Sequence, residues 1–561
     1  VSTVSQRELP RWLPALGAAL VEALPRLYGE ASDPLLADLI RALTLALERG
    51  DLSIDLEGAA PEGIREEMGW PEDHRMALEA SALGLAPHGP LVLDGSLLRW
   101  RRWHQLRQSV LEGLIARAAR RTRPLEWKAP PDLRDGLQKL AIRTALERDL
   151  LVLAGGPGTG KTSTVAHILE AVAASQEGAR LHLAAPTGKA AARLRQATGH
   201  RWPCSTLHQL LESRGEGNFR RNRARPLKLD LLVVDEVSMV DLVLMEALLS
   251  ALPPEARLVL VGDPAQLPPV APGAPLQDLL CADIKQSLGG ALVTLATPYR
   301  NAGSIAKVAA ALRRQIQQKG ERSTDPLRLL RPQLMELGAG ANLHWQEASP
   351  GPLPSLVRSV LREHLRLLES AAETCTPGTD GGWPALARLR DGLLVLSPRH
   401  RGRWGVDAVH LDLLGEISAA GIERWPNGTP VLCTRNLHGL GLSNGDLGVL
   451  VTRREPWLVF GQEQPIWLHP SQLMGALEPA LALTVHKAQG SEAERVMVLL
   501  PEPEAVDPRL LYTGLTRARE AAWLFTAQTG GAGETRVEGA SARAVPGSKI
   551  TTVVQPRSND D

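Results

Sequence analysis

Aromatic rings other than indole are scarce in this chain: three Phe and three Tyr stand beside thirteen Trp in 561 residues. Any surface that stacks on nucleic-acid bases must therefore draw on tryptophan, and the sequence does not say which. Cysteine is equally sparse. Cys204, Cys281, Cys375 and Cys433 lie far apart with no C-x-x-C pair, which argues against a disulfide framework and against a sequence-local zinc or iron–sulfur site. Long apolar runs are missing too, and the opening "VSTVSQRELPRW" lacks a charged stretch followed by an apolar one. The expectation is a cytoplasmic protein with buried thiols and no membrane partner. Charge of one sign is also absent, the net being +1, so a nucleic acid would have to be met by a local groove. Lysine is wholly absent from residues 1–120, where acids outnumber arginines.

What is present begins at "LVLAGGPGTGKTSTVAHILEAV", residues 151–172. An apolar run enters a glycine-rich loop, and Val165, Ile168, Leu169 and Val172 then recur at helical spacing. Gly155, Gly158 and Gly160 permit positive φ and close approach to an anion, so that the loop of Gly155, Gly156, Pro157, Gly158, Thr159 and Gly160 can wrap a phosphate with its amide N–H groups at a helix N-terminus. Lys161 is placed to reach the outer phosphates, and the Thr162 hydroxyl to ligate Mg²⁺. The pattern G-x-x-x-x-G-K-[ST] in a strand-to-helix setting reads as a nucleoside triphosphate site.

A second apolar run, Leu231 to Val234, ends in Asp235 and Glu236, at the strand end where parallel sheets bind ligands. Asp235 is expected to hold Mg²⁺ with Thr162, and Glu236 to polarise the attacking water. A third run ends in "GDPAQLPPV", where Gln266 can report on the γ-phosphate and two prolines stiffen the loop.

Along the chain, residues 1–120 show helical periodicity, as at Trp12, Leu16, Ala19, Leu20 and Leu24, and read as a separate helical domain. From about 130 to 300 short apolar runs alternate with helical stretches, the pattern of a parallel sheet wrapped by helices. Residues 318–390 carry little motif content. Residues 427–460 look like short strands with glycine turns, and residues after about 527 are small, polar and aperiodic, as in a disordered tail.

The stretches "GGPGTGKT", "APTGKAAARL", "TLHQLL", "VVDEVSMVD", "VGDPAQLPPV", "TPYRN", "LTVHKAQGSE" and "LYTGLTRARE" follow the order of the superfamily 1 helicase motifs, and the chain between about 125 and 525 resembles the RecD branch of that superfamily. The resemblance implies a mixed α/β fold with two RecA-like P-loop domains (125–300 and 301–525), an SH3-like β insertion near 427–465, a small N-terminal helical domain and a tail over 527–561. It also implies ATP and Mg²⁺ in the cleft between the lobes and 5′-to-3′ translocation along single-stranded or end-unwound DNA. By the same resemblance Gln138 reads adenine, Gln489 and Gly490 border the nucleotide, and Arg300 and Arg517 face the γ-phosphate from the second lobe, where charge on the transferring group needs a cation. Thr187, Lys189, His208, Thr484, His486 and Lys487 are candidates for DNA phosphates. For the threonines, helix capping is the competing reading.

The segment "PLVLDGSLLRWRRWHQLRQSVLEGL" is similar to the domain by which RecD chains of RecBCD-type complexes (exodeoxyribonuclease V) dock on RecC, so RecB-like and RecC-like partners and a role in break repair and recombination are implied. Arg101 and Trp103 fit that pattern, whereas Trp100 and Arg102 depart from it. Two other readings stay open: a free-standing RecD-like helicase, for whose longer front end residues before Gln138 leave no room, and a nucleotide-binding assembly scaffold. Asp283 and Lys285 in "CADIKQS" have the D-x-K form of a nuclease site but lack an upstream carboxylate pair, so no nuclease is expected in this chain.

Overall fold

The computed structural model describes residues 13–528, apart from 65–68, 86–87, 123, 131–132, 134, 216, 298–302, 318–325, 339, 350, 420, 462–463 and 503–505. The expected tail falls beyond these residues, and so does Arg300. No described helix is long and apolar enough to cross a membrane.

The first part of the chain is less helical than its periodicity suggests. Helices Leu13–Tyr28, Pro34–Glu48 and Glu72–Ala80 are joined by an antiparallel sheet in the order Ser53–Asp55, Leu97–Trp100, Leu91–Asp94. Helix Pro34–Glu48 starts where Asp33 accepts from the amides of Leu35 and Leu36, with Pro34 at its first position. Its Leu36, Leu39, Ile40 and Leu43 join Leu24, Ile54, Leu91 and Leu98 in one local core. The strands are only three or four residues long and partly apolar on both faces, so no clean alternation marks them in the sequence.

The boundary expected at 120 is also corrected. Helix Arg101–Ala119 inserts Val110, Leu111, Leu114 and Ala118 into the core of the following lobe, beside Leu150, Val152, Met245 and Leu248. Arg107 pairs with Asp278, and Arg117 donates to the carbonyls of Leu252, Pro253 and Ala256. The helix therefore belongs to the lobe that follows it.

That first lobe is built on a fully parallel sheet in the order Leu292–Leu295, Leu150–Gly155, Arg257–Gly262, Leu231–Val234, Leu181–Ala185, Cys204–Thr206. Every residue of its three central strands is buried, as expected where helices cover both faces. Alternate residues part company: Leu150, Val152, Leu232 and Leu258 face one core, while Leu151, Leu153, Leu231 and Val259 face the other with helices Gly136–Glu147 and Lys161–Ser175.

A second parallel sheet runs Leu343–Ala348, Ala518–Ala527, Ala493–Leu500, Leu393–Ser397, Leu483–Thr484. Helices Ser304–Gln317 and Pro508–Leu515 pack on it. Between its strands Leu393–Ser397 and Leu483–Thr484 lies a five-stranded antiparallel sheet in the order Ile466–Leu468, Pro456–Phe460, Leu447–Thr452, Pro430–Cys433, Leu477–Pro479. The insertion thus continues past 465, because two short strands, one ending in proline, carry almost no strand signal of their own.

Candidate nucleotide cleft and DNA-contact residues

The P-loop follows strand Leu150–Gly155 and leads into helix Lys161–Ser175. Gly158 and Gly160 have φ of +71° and +84° and supply the left-handed turns. Gly155 serves differently: a Cβ there would meet Thr159 Oγ1 at 2.6 Å, so space and not φ demands glycine. Lys161 Nζ donates to the carbonyls of Gly155 and Gly156 at 2.7 and 2.8 Å. Gln138 lies in the first turn of its helix with its side-chain amide packed on Gly160. Helix Gly136–Glu147 thus presents a buried amide beside the loop.

Asp235 and Glu236 stand at the carboxyl end of strand Leu231–Val234. Burial, then the neighbouring Glu236 charge, pushes the Asp235 carboxyl up to about 6, and Lys161 and Arg193 oppose that shift. Glu236 adopts φ 53° and ψ 40°, a left-handed conformation that costs a non-glycine residue about 1 kcal/mol or more. A desolvated carboxylate crowded by a second one is an electrostatic setting that a hard divalent cation relieves. With the Thr162 hydroxyl, Asp235 makes an all-oxygen donor set that fits Mg²⁺ together with phosphate oxygens. No cluster of three or more His, Cys, Asp or Glu suited to a metal occurs among the described residues, so a metal here would depend on the nucleotide for its remaining ligands.

Gln266 is buried, and its Oε1 has no hydrogen-bond partner among the described residues. Its loop does more than the sequence suggests. Ala265 and Leu267 enter the hydrophobic core of the second lobe, the Leu267 amide donates to Thr513 Oγ1 at 3.0 Å, and Gln489 Nε2 donates to the Leu267 carbonyl at 3.1 Å. Asp263, at the end of strand Arg257–Gly262, accepts from the Tyr512 hydroxyl at 2.7 Å. Burial and the Asp263 charge push the Tyr512 hydroxyl well above its usual range, which keeps it a neutral donor. Arg313, on helix Ser304–Gln317, donates to Tyr512 Oη at 2.9 Å and lies against Gly156.

Arg517 is buried, but its guanidinium is held by carbonyls of its own lobe, those of Thr513 and Ser491. In this arrangement it makes no hydrogen bond to the P-loop. Arg193 crosses the cleft instead, donating to the Gly490 carbonyl at 3.2 Å and pairing with Glu492. Asp263, Tyr512, Arg193 and Arg313 are therefore site residues that sequence reasoning missed. The first three sit inside the recognised stretches, whereas Arg313 lies in a segment with no motif.

The DNA candidates divide. The hydroxyls of Thr187 and Thr484 accept from the amides of Ala190 and Lys487 at 3.3 and 3.2 Å, so both cap helical turns. Lys189 donates to Ser491 Oγ at 3.1 Å across the lobes, and desolvation brings its ammonium down to about 8. Lys487 pairs with Glu478 of the insertion, which also lies beside His400. His208 stands in the short helix Leu207–Leu210, its ring 6.0 Å from that of Phe219. His486 is half-buried in the turn after strand Leu483–Thr484. Trp383 and Trp404 are fully buried and so unavailable for stacking.

Residues 138–272 match the AAA domain family and residues 479–525 the UvrD-like helicase C-terminal domain. The chain is 34% identical over 514 residues to the RecBCD enzyme subunit RecD of Mycolicibacterium smegmatis, covering 84% of this chain and 86% of that one. It is 34% identical over 411 residues to the ATP-dependent RecD2 DNA helicase of Deinococcus radiodurans, covering 70% of this chain and 50% of the other. A solved structure of two coordinating Pif1 helicases at forked DNA aligns with 16% identity and a TM-score of 0.40 over 70% of this chain and 92% of that one. The chain belongs to the RecD family of ATP-dependent DNA helicases.

Proposed function

We propose that this chain is the RecD-like motor of a RecBCD-type complex, translocating 5′ to 3′ along single-stranded DNA during repair of double-strand breaks. The observation that carries the reading is the junction of Asp263, Leu267 and the P-loop with Gln489, Tyr512, Thr513 and Arg313, which makes the nucleotide cleft the meeting place of two lobes. ATP binds with its phosphates on Gly155–Gly160 and Lys161 and its base beside Gln138. Thr162 and Asp235 would hold Mg²⁺, which would neutralise phosphate charge when bound. Glu236 polarises the attacking water, Gln266 senses the γ-phosphate, and Arg517 and Arg300 meet the developing charge from the second lobe.

Closure over ATP draws the lobes together, and hydrolysis releases them; two lobes that grip DNA in alternation convert this cycle into a step. His208, His486, Lys189 and Lys487 supply phosphate contacts, Lys487 by exchanging its carboxylate partner for a phosphate oxygen. The match to RecD takes in 84% of this chain against 70% for RecD2, which favours the complex subunit over a free-standing helicase. Residues 13–100 are the docking domain, and the RecC-like partner is its target. The test is phosphate release with and without single-stranded DNA, together with unwinding of duplexes bearing a 5′ or a 3′ overhang. Stimulation by DNA and preference for the 5′ overhang are expected. Absence of both would favour the assembly scaffold.

A further inference from the structure

The second lobe brings one guanidinium to the mouth of the P-loop. A Cβ built on Gly156 would lie 2.8 Å from Arg313 Cζ and 3.1 Å from its Nη1, so the guanidinium occupies the space over the Gly156 Cα. Lys161 converges on the same residue, donating to the Gly156 carbonyl at 2.8 Å. Because the P-loop lysine serves the outer phosphates, Gly156 marks the outer-phosphate end of the loop. Arg313 is held there from two sides, with Tyr512 Oη accepting from Nη2 at 2.9 Å and Asp263 Oδ1 lying 3.4 Å from the same nitrogen. Asp263 follows Gly262, which is paired in register with Ala154 of the P-loop strand. The arginine is thus anchored at the carboxyl end of a central strand of the first lobe's sheet while its helix is rooted in the second lobe by Ile305, Val308 and Leu312.

We infer that Arg313 is a further phosphate-facing cation of the ATPase, delivered by the second lobe and aimed by Tyr512 and Asp263. Only an arginine can bond to Tyr512 and Asp263 with part of its donor fork and keep other N–H groups for phosphate oxygens. Glycine at 156 follows from the same arrangement, since any side chain there displaces the guanidinium. The assignment also gives the lobes a direct means of sensing closure: the contact that completes the charge around the outer phosphates is the contact that bridges them.

The inference rests on the ATPase reading, and the experiment separates the two. In the full chain, Arg313→Ala should lower kcat for DNA-stimulated phosphate release by about 10²-fold. It should raise the Kd for a fluorescent ATP analogue less than about fivefold, with the thermal midpoint held. Free guanidinium ion at millimolar concentration should restore part of the lost rate, and Arg313→Lys, with fewer donors, should restore less than the wild-type residue. Tyr512→Phe, which keeps the ring and loses the relay, should cost about tenfold. A kcat for Arg313→Ala within threefold of wild type, while Lys161→Gln is inactive, overturns this inference and leaves the ATPase reading standing. A loss that guanidinium does not restore, accompanied by a lowered thermal midpoint, overturns it in favour of a structural brace. An active Lys161→Gln overturns the ATPase reading itself.

Discussion

Gln489 of the second lobe donates to the carbonyl of Leu267 of the first, and the Leu267 amide donates back to Thr513. Both partners of Leu267 belong to recognised motif stretches of the second lobe, so one residue of the double-proline loop is clasped from both sides. A hydrogen bond of this kind contributes about 1 kcal/mol, or roughly a fivefold effect on an equilibrium. Gln489→Ala should therefore lower the ratio of DNA-stimulated to basal phosphate release by about fivefold. A ratio equal to wild type would show that the clasp carries no signal between the lobes.

Lys161→Gln should abolish turnover with little change in the unfolding midpoint. The side chain is half-buried at the first residue of helix Lys161–Ser175, where it bonds two loop carbonyls but fills no core, so the change costs about 1 kcal/mol. Circular dichroism melts and phosphate release on the same sample check both halves.

Glu236 combines a proposed catalytic role with a left-handed backbone. Glu236→Gln should retain nucleotide binding and stall hydrolysis. Glu236→Gly should be as inactive yet no less stable, because relief of about 1 kcal/mol of backbone strain offsets the entropy that glycine loses on folding. A glycine variant that melts well below the glutamine variant would remove the strain argument.

The raised Asp235 carboxyl sets a pH dependence. Its proton is on below about pH 6 and off above, and only the ionised form binds Mg²⁺, so turnover at low magnesium should fall as pH drops through about 6. Burial disfavours the charged form, so ionisation of this group above that pH also weakens the fold slightly unless a cation is bound. Raising Mg²⁺ should move the acidic limb of the rate profile to lower pH. An acidic limb that ignores magnesium would assign it to another group.

Truncation depends on where the chain is cut. Removing residues 1–99 should leave DNA-stimulated ATPase intact and abolish assembly with a RecC-like partner. Removing residues 1–120 should instead unfold the first lobe: Val110, Leu111 and Leu114 are each fully or almost fully buried in its core, and at about 2 kcal/mol each their loss approaches the stability of an average domain. Soluble expression and thermal melts of the two truncations decide this, and a well-folded 121–561 fragment would refute it.

Much of the cleft is legible in sequence because its chemistry is local. A P-loop is eight consecutive residues, and Asp235 and Glu236 follow directly on a buried strand. What escapes notice is produced by folding at a distance. Arg313 is an arginine on an amphipathic helix with no marker, and only the packing of Ile305, Val308 and Leu312 turns it toward Gly156. Arg517, which the motif order places at the phosphates, bonds the carbonyls of Thr513 and Ser491 of its own lobe in this arrangement, because a buried guanidinium takes the carbonyls that surround it. Helix Arg101–Ala119 reads as part of the preceding domain since its periodicity is continuous in character with what comes before, and periodicity does not say which core receives the apolar face. The strands Ile466–Leu468 and Leu477–Pro479 are too short for their alternation to stand out.

The burial of Ala265 and Leu267 within the second lobe has a calorimetric consequence. Parting the lobes must draw these two side chains out of a hydrocarbon environment and wet them, so opening carries a positive heat-capacity change and closure a negative one. The cost of opening therefore varies with temperature along a curve and not a straight line. A cold motor holds its lobes together less firmly than a warm one, and the step that waits for nucleotide to leave should shift in weight accordingly as the protein is cooled.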